Sequence, residues 1–253
     1  MPSPFARLSR PVGGLLDRVR DGFESPRATS VAVATLVVVT IGVTLGIVAL
    51  GGVFDATVDQ QVTVDNPDRP PESTCETFGD DPDSVFGERC DEPARVEVDA
   101  GAELRDAADG YLHYGLIGVP VWWGIFALAL HIGARVAGGE GSVGDSFLIA
   151  GWALVGELLR VIAGLAAIWF ALSNAAITGS TFEALAEQIV AALATTTGPL
   201  LVASAVAIAV QWAIVVGGLE ARHDLGRGAA AGVATVFAAV ALLLAAPANF
   251  GSF

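Results

Sequence analysis

The chain has 253 residues, 53% of them hydrophobic, and a formal net charge of −14, with a positive mean hydropathy. Its apolar residues lie in long blocks, which excludes an ordinary soluble domain: crossing a hydrocarbon layer of roughly 30 Å takes about 20 mostly apolar residues. All 13 basic residues are arginine and 17 of the 27 carboxylates fall between Asp55 and Asp109, so the charge belongs to one segment, and the acidity argues against a nucleic-acid partner, which would need clustered Arg or Lys.

Residues 1–28 read as a polar N-terminal tail carrying Arg7, Arg10, Arg18, Arg20 and Arg27 against three acids. The first apolar block, residues 29–54, is too long for the core of a secretory signal peptide and reads as an uncleaved signal anchor. Residues 55–111 form an acidic, proline-dotted segment expected to be mostly irregular and exterior. Within it, the alternating stretches Asp59 to Val64 and Ala94 to Asp99 are candidates for two short paired strands. Lysine-free, carboxylate-dense usage is that expected of a halophilic archaeon, whose acidic surfaces are screened by high salt.

Residues 112–248 read as a membrane domain of four further helices. Its spans are expected near 113–136, 146–172, 200–219 and 228–247. The stretch TFEALAEQIVAALA at 181–194 repeats its apolar residues every three to four positions, the pattern of a helix lying along the interface. The expected fold is therefore an all-α membrane protein of about five transmembrane helices, with an acidic exterior loop between helices 1 and 2. Arginine sits before span one, at Arg135 after span two, and at Arg222 and Arg227 between spans four and five. By the positive-inside rule this places the N-terminus in the cytoplasm and the C-terminus outside a multi-pass cell-membrane protein.

Few residues are candidates for chemistry. Cys75 and Cys90, the only cysteines, are expected to form a disulfide in an exterior loop; two free thiols or a metal pair are the alternatives, and no histidine in the loop supports zinc. The carboxylates Glu76, Asp80, Asp81 and Asp83 lack EF-hand spacing and read as solvated surface. Gly139, Gly141 and Gly144 spell G-x-G-x-x-G, but after a membrane helix and around Glu140, so a tight turn is expected rather than a dinucleotide site. No metal or cofactor is assigned.

Glu157 and Arg160 fall near the middle of span three at i, i+3 spacing, on one face. Intramembrane charges face the bundle interior, paired or functional, so the two read as a self-neutralising pair or a proton or ion relay. His131 and Gln211 occupy the inner halves of spans two and four and are expected to be able to meet. Trp122, Trp123, Trp152, Trp169 and Trp212 read as packing and interface anchors. Gly42 with Gly46, and Gly228 with Gly232, provide G-x-x-x-G spacing for close helix approach.

The second hairpin, ARVAGGEGSVGDSFLIAGWALVGELL, resembles that of the Yip1-domain membrane proteins, whose prokaryotic members carry a small-residue turn followed by a Gly-aromatic pair. The matching positions are Gly138, Gly139, Gly141, Ser142, Phe147, Gly151 and Trp152, and the likeness covers about residues 113–247. The chain departs from the pattern at Gly156-Glu157, where a proline is common, and lacks the Asp-Leu-Tyr-Gly-Pro motif of eukaryotic members. The resemblance implies five spans, no catalytic residues, and a non-enzymatic role in organising membrane or protein partners. The expected partners are the lipid bilayer and other membrane proteins or a second copy. The rival reading is a small transporter or channel subunit using Glu157, Arg160 and His131.

Overall fold

The computed structural model describes residues 4–79 and 84–249; Asp80, Asp81 and Asp83 lie outside them. It is all-α apart from one two-stranded sheet. The elements are α1 (Pro4–Glu24), α2 (Ala28–Thr57), β1 (Gln61–Asp65), α3 (Glu72–Phe78), α4 (Gly87–Cys90), β2 (Arg95–Asp99), α5 (Ala100–Asp109), a π-helical turn (Tyr114–Gly118), α6 (Val119–Val136), α7 (Val143–Ala153), α8 (Val155–Ser173), α9 (Phe182–Ala194), α10 (Thr197–Arg222) and α11 (Arg227–Asn249).

Four stretches among the described residues are helical, long and apolar enough to cross a bilayer: Ala28–Thr57, Ala100–Val136, Val143–Ser173 and Thr197–Arg222. α11 is apolar along Arg227–Leu243 and continues as helix to Asn249. Exposed Val33, Ile41, Leu45, Ile162, Phe170 and Val202 turn outward from helices that have no polar face to offer water, so lipid is their solvent. The chain is a membrane protein.

α2 packs alongside α7 and α8. A Cβ at Gly151 would lie 3.0 Å from the Ala32 Cβ, and one at Gly46 would lie 2.6 Å from Val161 Cγ1; Gly42 faces Leu158 equally closely. The first G-x-x-x-G thus seats α2 on α8 within one chain. At Gly228 and Gly232 an added Cβ meets nothing within 4 Å, so the second pair is unpartnered among the described residues.

The N-terminal segment, to which the sequence reading gave no structure beyond a polar tail, is helical and packs along α10. Leu16, Val19 and Phe23, at helical spacing, supply its apolar stripe: Leu16 and Phe23 are buried, and Gly217 leaves the room that Val19 occupies. The turns 137–142 and 223–226 and the helix α1 therefore gather at one end of the bundle.

At the other end sits the acidic segment. β1 and β2 pair antiparallel from Gln61↔Asp99 to Asp65↔Arg95, as the alternation suggests, and Cys75 is bonded to Cys90. The segment is less irregular than expected. Asp99 caps α5 by accepting from the Ala102 amide at 2.8 Å, and α5 returns along α2, with Arg105 bonded to Asp55 at 3.3 Å. Val58, Val62, Ala100, Leu172, Leu185 and Ile189 form a second core here. α9 buries the apolar face formed by Leu185 and Ile189 in this core.

Candidate functional site

Two polar constellations stand out. The first is at the centre of the 31-residue span Val143–Ser173. Arg160 Nη1 donates to Glu157 Oε1, at 2.5 Å. Arg160 Nη2 donates to Gln211 Oε1 at 3.0 Å, and Gln211 Nε2 donates back to Glu157 Oε1 at 2.9 Å. Three side chains from two helices thus close a ring of no net charge. The i, i+3 spacing brings the charges together, and Gly156 makes the third member possible: a Cβ there would stand 2.7 Å from Gln211 Cγ.

The helix tightens beside this ring. Leu154 separates α7 from α8, and the Glu157 amide donates to the Leu154 carbonyl at 2.8 Å, a tightened 3₁₀-type turn. No proline marks the place, and the span runs on through it from Val143 to Ser173, as expected. Across the bundle, the π-helical turn Tyr114–Gly118 leans on α2, where Gly115 faces Thr44. Between these two irregularities lies a cleft of about 550 Å³, walled by α2, α6, α8, α10 and α11 and lined by Trp122, Phe126, Ile208 and Phe237, with the ring in its wall.

The second constellation joins the two turns at the other level of the bundle. α6 ends on Gly138, whose φ of +88° closes a Schellman-type cap, the Gly139 amide donating to the Ala134 carbonyl at 2.8 Å. Ser142 begins α7 with a capping box completed by Asp145. The Glu140 amide donates to the His223 carbonyl at 3.0 Å, so the turns touch through backbone. Gly141 permits this approach, since an added Cβ would come within 2.6 Å of His223 Nδ1.

His223 is fully buried. Its Nε2 lies 2.9 Å from Ser146 Oγ, and His131 Nδ1 lies 3.5 Å from the same hydroxyl. Burial pushes the His223 imidazole below its ordinary pKa; Asp145 opposes that shift, and His131 and Arg135 add to it. Ion pairs surround the cluster: Arg222 with Asp145 at 3.8 Å, and Arg227 with both Glu220 and Asp17 at 2.7 Å. The Asp17 contact ties α1 to α11.

The expected meeting of His131 and Gln211 does not occur. Gln211 turns toward α8 and the ring, whereas His131 faces Ser146 and His223 at the turns. Sequence reasoning passed over Ser146, His223, Asp145 and Glu220, which lie in or beside turns and show their meaning only once the hairpins pair. Gly151 and Trp152 sit against α2, the Trp152 indole donating to the Ala28 carbonyl at 2.9 Å. Trp123 holds the second hairpin by donating to the Phe147 carbonyl at 3.0 Å. Trp122 and Trp169 are about half exposed. No family model, curated protein or solved structure matches the chain.

Proposed function

We propose that this is a non-enzymatic multi-pass membrane protein that organises other membrane proteins or copies of itself in the bilayer, as its likeness to the Yip1-domain hairpin implies. The observation that carries this reading is the closed ring of Glu157, Arg160 and Gln211. Its two opposite charges are paired with each other and with Gln211 inside one chain, so the ring is neutral without a bound ion. Ser146 and His223 resemble a nucleophile and its base only in distance. Both are fully buried between two turns that touch through backbone, so a substrate has no approach.

The orientation that goes with this reading puts α1 and both short turns in the cytoplasm and the disulfide-bonded hairpin outside. Arg18, Arg20, Arg135, Arg222 and Arg227 share the proposed inner end, as the positive-inside rule requires, and a disulfide suits an oxidising exterior. The acidic hairpin is suited to salt-rich surroundings and not to nucleic acid.

A small transporter is the second reading, favoured by the charged side chains of Glu157 and Arg160 within one span, since ionisable residues inside spans mark ion and substrate pathways. Reconstituted protein should carry no proton or sodium flux above that of empty liposomes. A flux that is lost in a folded Glu157→Gln variant would replace the organising role with transport.

A further inference from the structure

The cleft beside the ring is an unusual place in a bilayer. Its wall is apolar, built largely from Trp122, Phe126, Ile208, Phe237, Ala238 and Ala241, yet the side chains of Arg160 and Glu157 in that wall remain 27% and 26% exposed. Both protein hydrogen bonds to Glu157 fall on Oε1. Oε2 has no protein donor among the described residues. A plain hydrocarbon tail in the cleft would leave that carboxylate oxygen unsolvated at the depth where charge is most costly. A column of water would instead wet a mostly aromatic and aliphatic wall, at the cost of the hydrophobic effect.

An occupant that is apolar along its length and polar at one point meets both demands. The charge of the ring decides what that point is. With Glu157 and Arg160 neutralising each other, an anionic headgroup would gain nothing from Arg160 that it did not lose to Glu157. A hydroxyl matches: it donates to Glu157 Oε2 and accepts from a remaining guanidinium hydrogen of Arg160. The volume, about 550 Å³, falls within the range of roughly 300–1,000 Å³ in which pockets hold small ligands. Two local changes of helical pitch, the π-helical turn at Tyr114–Gly118 and the tightened turn at Leu154, flank the cleft, and π-helical turns are frequent at functional sites.

We propose that the cleft is a binding site for a neutral amphiphile, an alkyl or isoprenoid chain ending in a hydroxyl, with the Glu157–Arg160–Gln211 ring as its headgroup contact. This goes beyond the organising role and shares with it only the placement of the bundle in a bilayer; absence of ion flux bears on that role and leaves this site untouched.

The test uses the full chain in lipid nanodiscs and hexadecanol carrying a diazirine midway along its chain. After photolysis, label should concentrate on peptides containing Trp122 and Phe237, above the background at lipid-facing Phe170 and Val202. Excess unlabelled hexadecanol should remove it, while hexadecane and hexadecyl phosphate should compete about tenfold less well, the scale of a hydrogen bond to a charged group. Ala238→Phe, which fills the cleft, should abolish the specific label and leave the background. Glu157→Leu combined with Arg160→Met should keep the label but sharply reduce the preference for alcohol over alkane. Label spread evenly over lipid-facing helices would overturn the proposal, as would hexadecane or hexadecyl phosphate competing as well as hexadecanol. The wild-type competition is decisive even if Ala238→Phe fails to fold.

Discussion

Consider replacing Arg160 by methionine. The change leaves Glu157 near mid-span with one amide donor, from Gln211, in place of a guanidinium and an amide. A lone charge at the centre of a membrane helix costs about 2.5–3.5 kcal/mol on insertion scales, and breaking a buried pair in soluble proteins costs about 3–5 kcal/mol. Because Glu157 is a quarter exposed to the cleft, the lower end applies, and about 3 kcal/mol is expected. Glu157→Gln alone strands Arg160 for a similar loss. The double change removes both charges, and the new amide at 157 can still bond Gln211, so its cost should be near 1 kcal/mol, the scale of interhelical hydrogen bonds in membranes. Equilibrium unfolding in bicelles, followed for the wild type, both single variants and the double, measures the difference. A double variant as unstable as the worse single would show that the ring is not one unit.

Other expectations follow from the turns and the hairpin. Gly141→Ala should destabilise by about 1–3 kcal/mol, as overpacking does, because its Cβ would strike His223 and the Arg222 carbonyl; Gly144→Ala, which meets only Ser142 Oγ at 3.5 Å, is the control, and thermal melts of both decide it. Replacing Cys75 and Cys90 by serine removes a cross-link worth about 3 kcal/mol in the chain-entropy model; since α3 and α4 bury no residue, limited proteolysis should cut between residues 66 and 94 while the melting of the bundle is unchanged. His223, with its folded pKa held below the ordinary imidazole value, binds its proton first in the unfolded chain, so stability should be full above that value and fall as pH drops through it toward the folded pKa. Melts across pH 5–8 should show this slope, reduced in His223→Asn.

The spans were legible because apolar blocks of bilayer length have few other uses, and β1, β2 and α9 because their periods of two and of three to four are short-range signals. The Glu157–Arg160 pair was legible for the same reason, being set by spacing within one helix. What the sequence left hidden depends on contacts between distant segments. Gln211 has no local mark of its partner; the available signal was Gly156, the small residue that admits a long polar side chain. His223 and Ser146 meet across 77 positions through two turns with no common motif in sequence. The packing of α1 was foreshadowed by Leu16, Val19 and Phe23, but its arginines drew the eye to charge. The tightened turn at Leu154 carries no proline, and its neighbours Ala153 and Val155 are ordinary helix residues, so no signal was present.

The backbone bond between Glu140 and His223, with the capped turns on either side of it, has a mechanical meaning. It rivets the α6–α7 hairpin to the α10–α11 hairpin at a single end, while α6 and α11 are held farther along by side chains such as Phe126 against Phe237, 5.5 Å apart ring to ring. Main-chain bonding at the turns sets the register of the two hairpins, and farther along the same register is kept by side chains alone, so the wall of the cleft between α6 and α11 is made of rings in contact with no hydrogen bond between them.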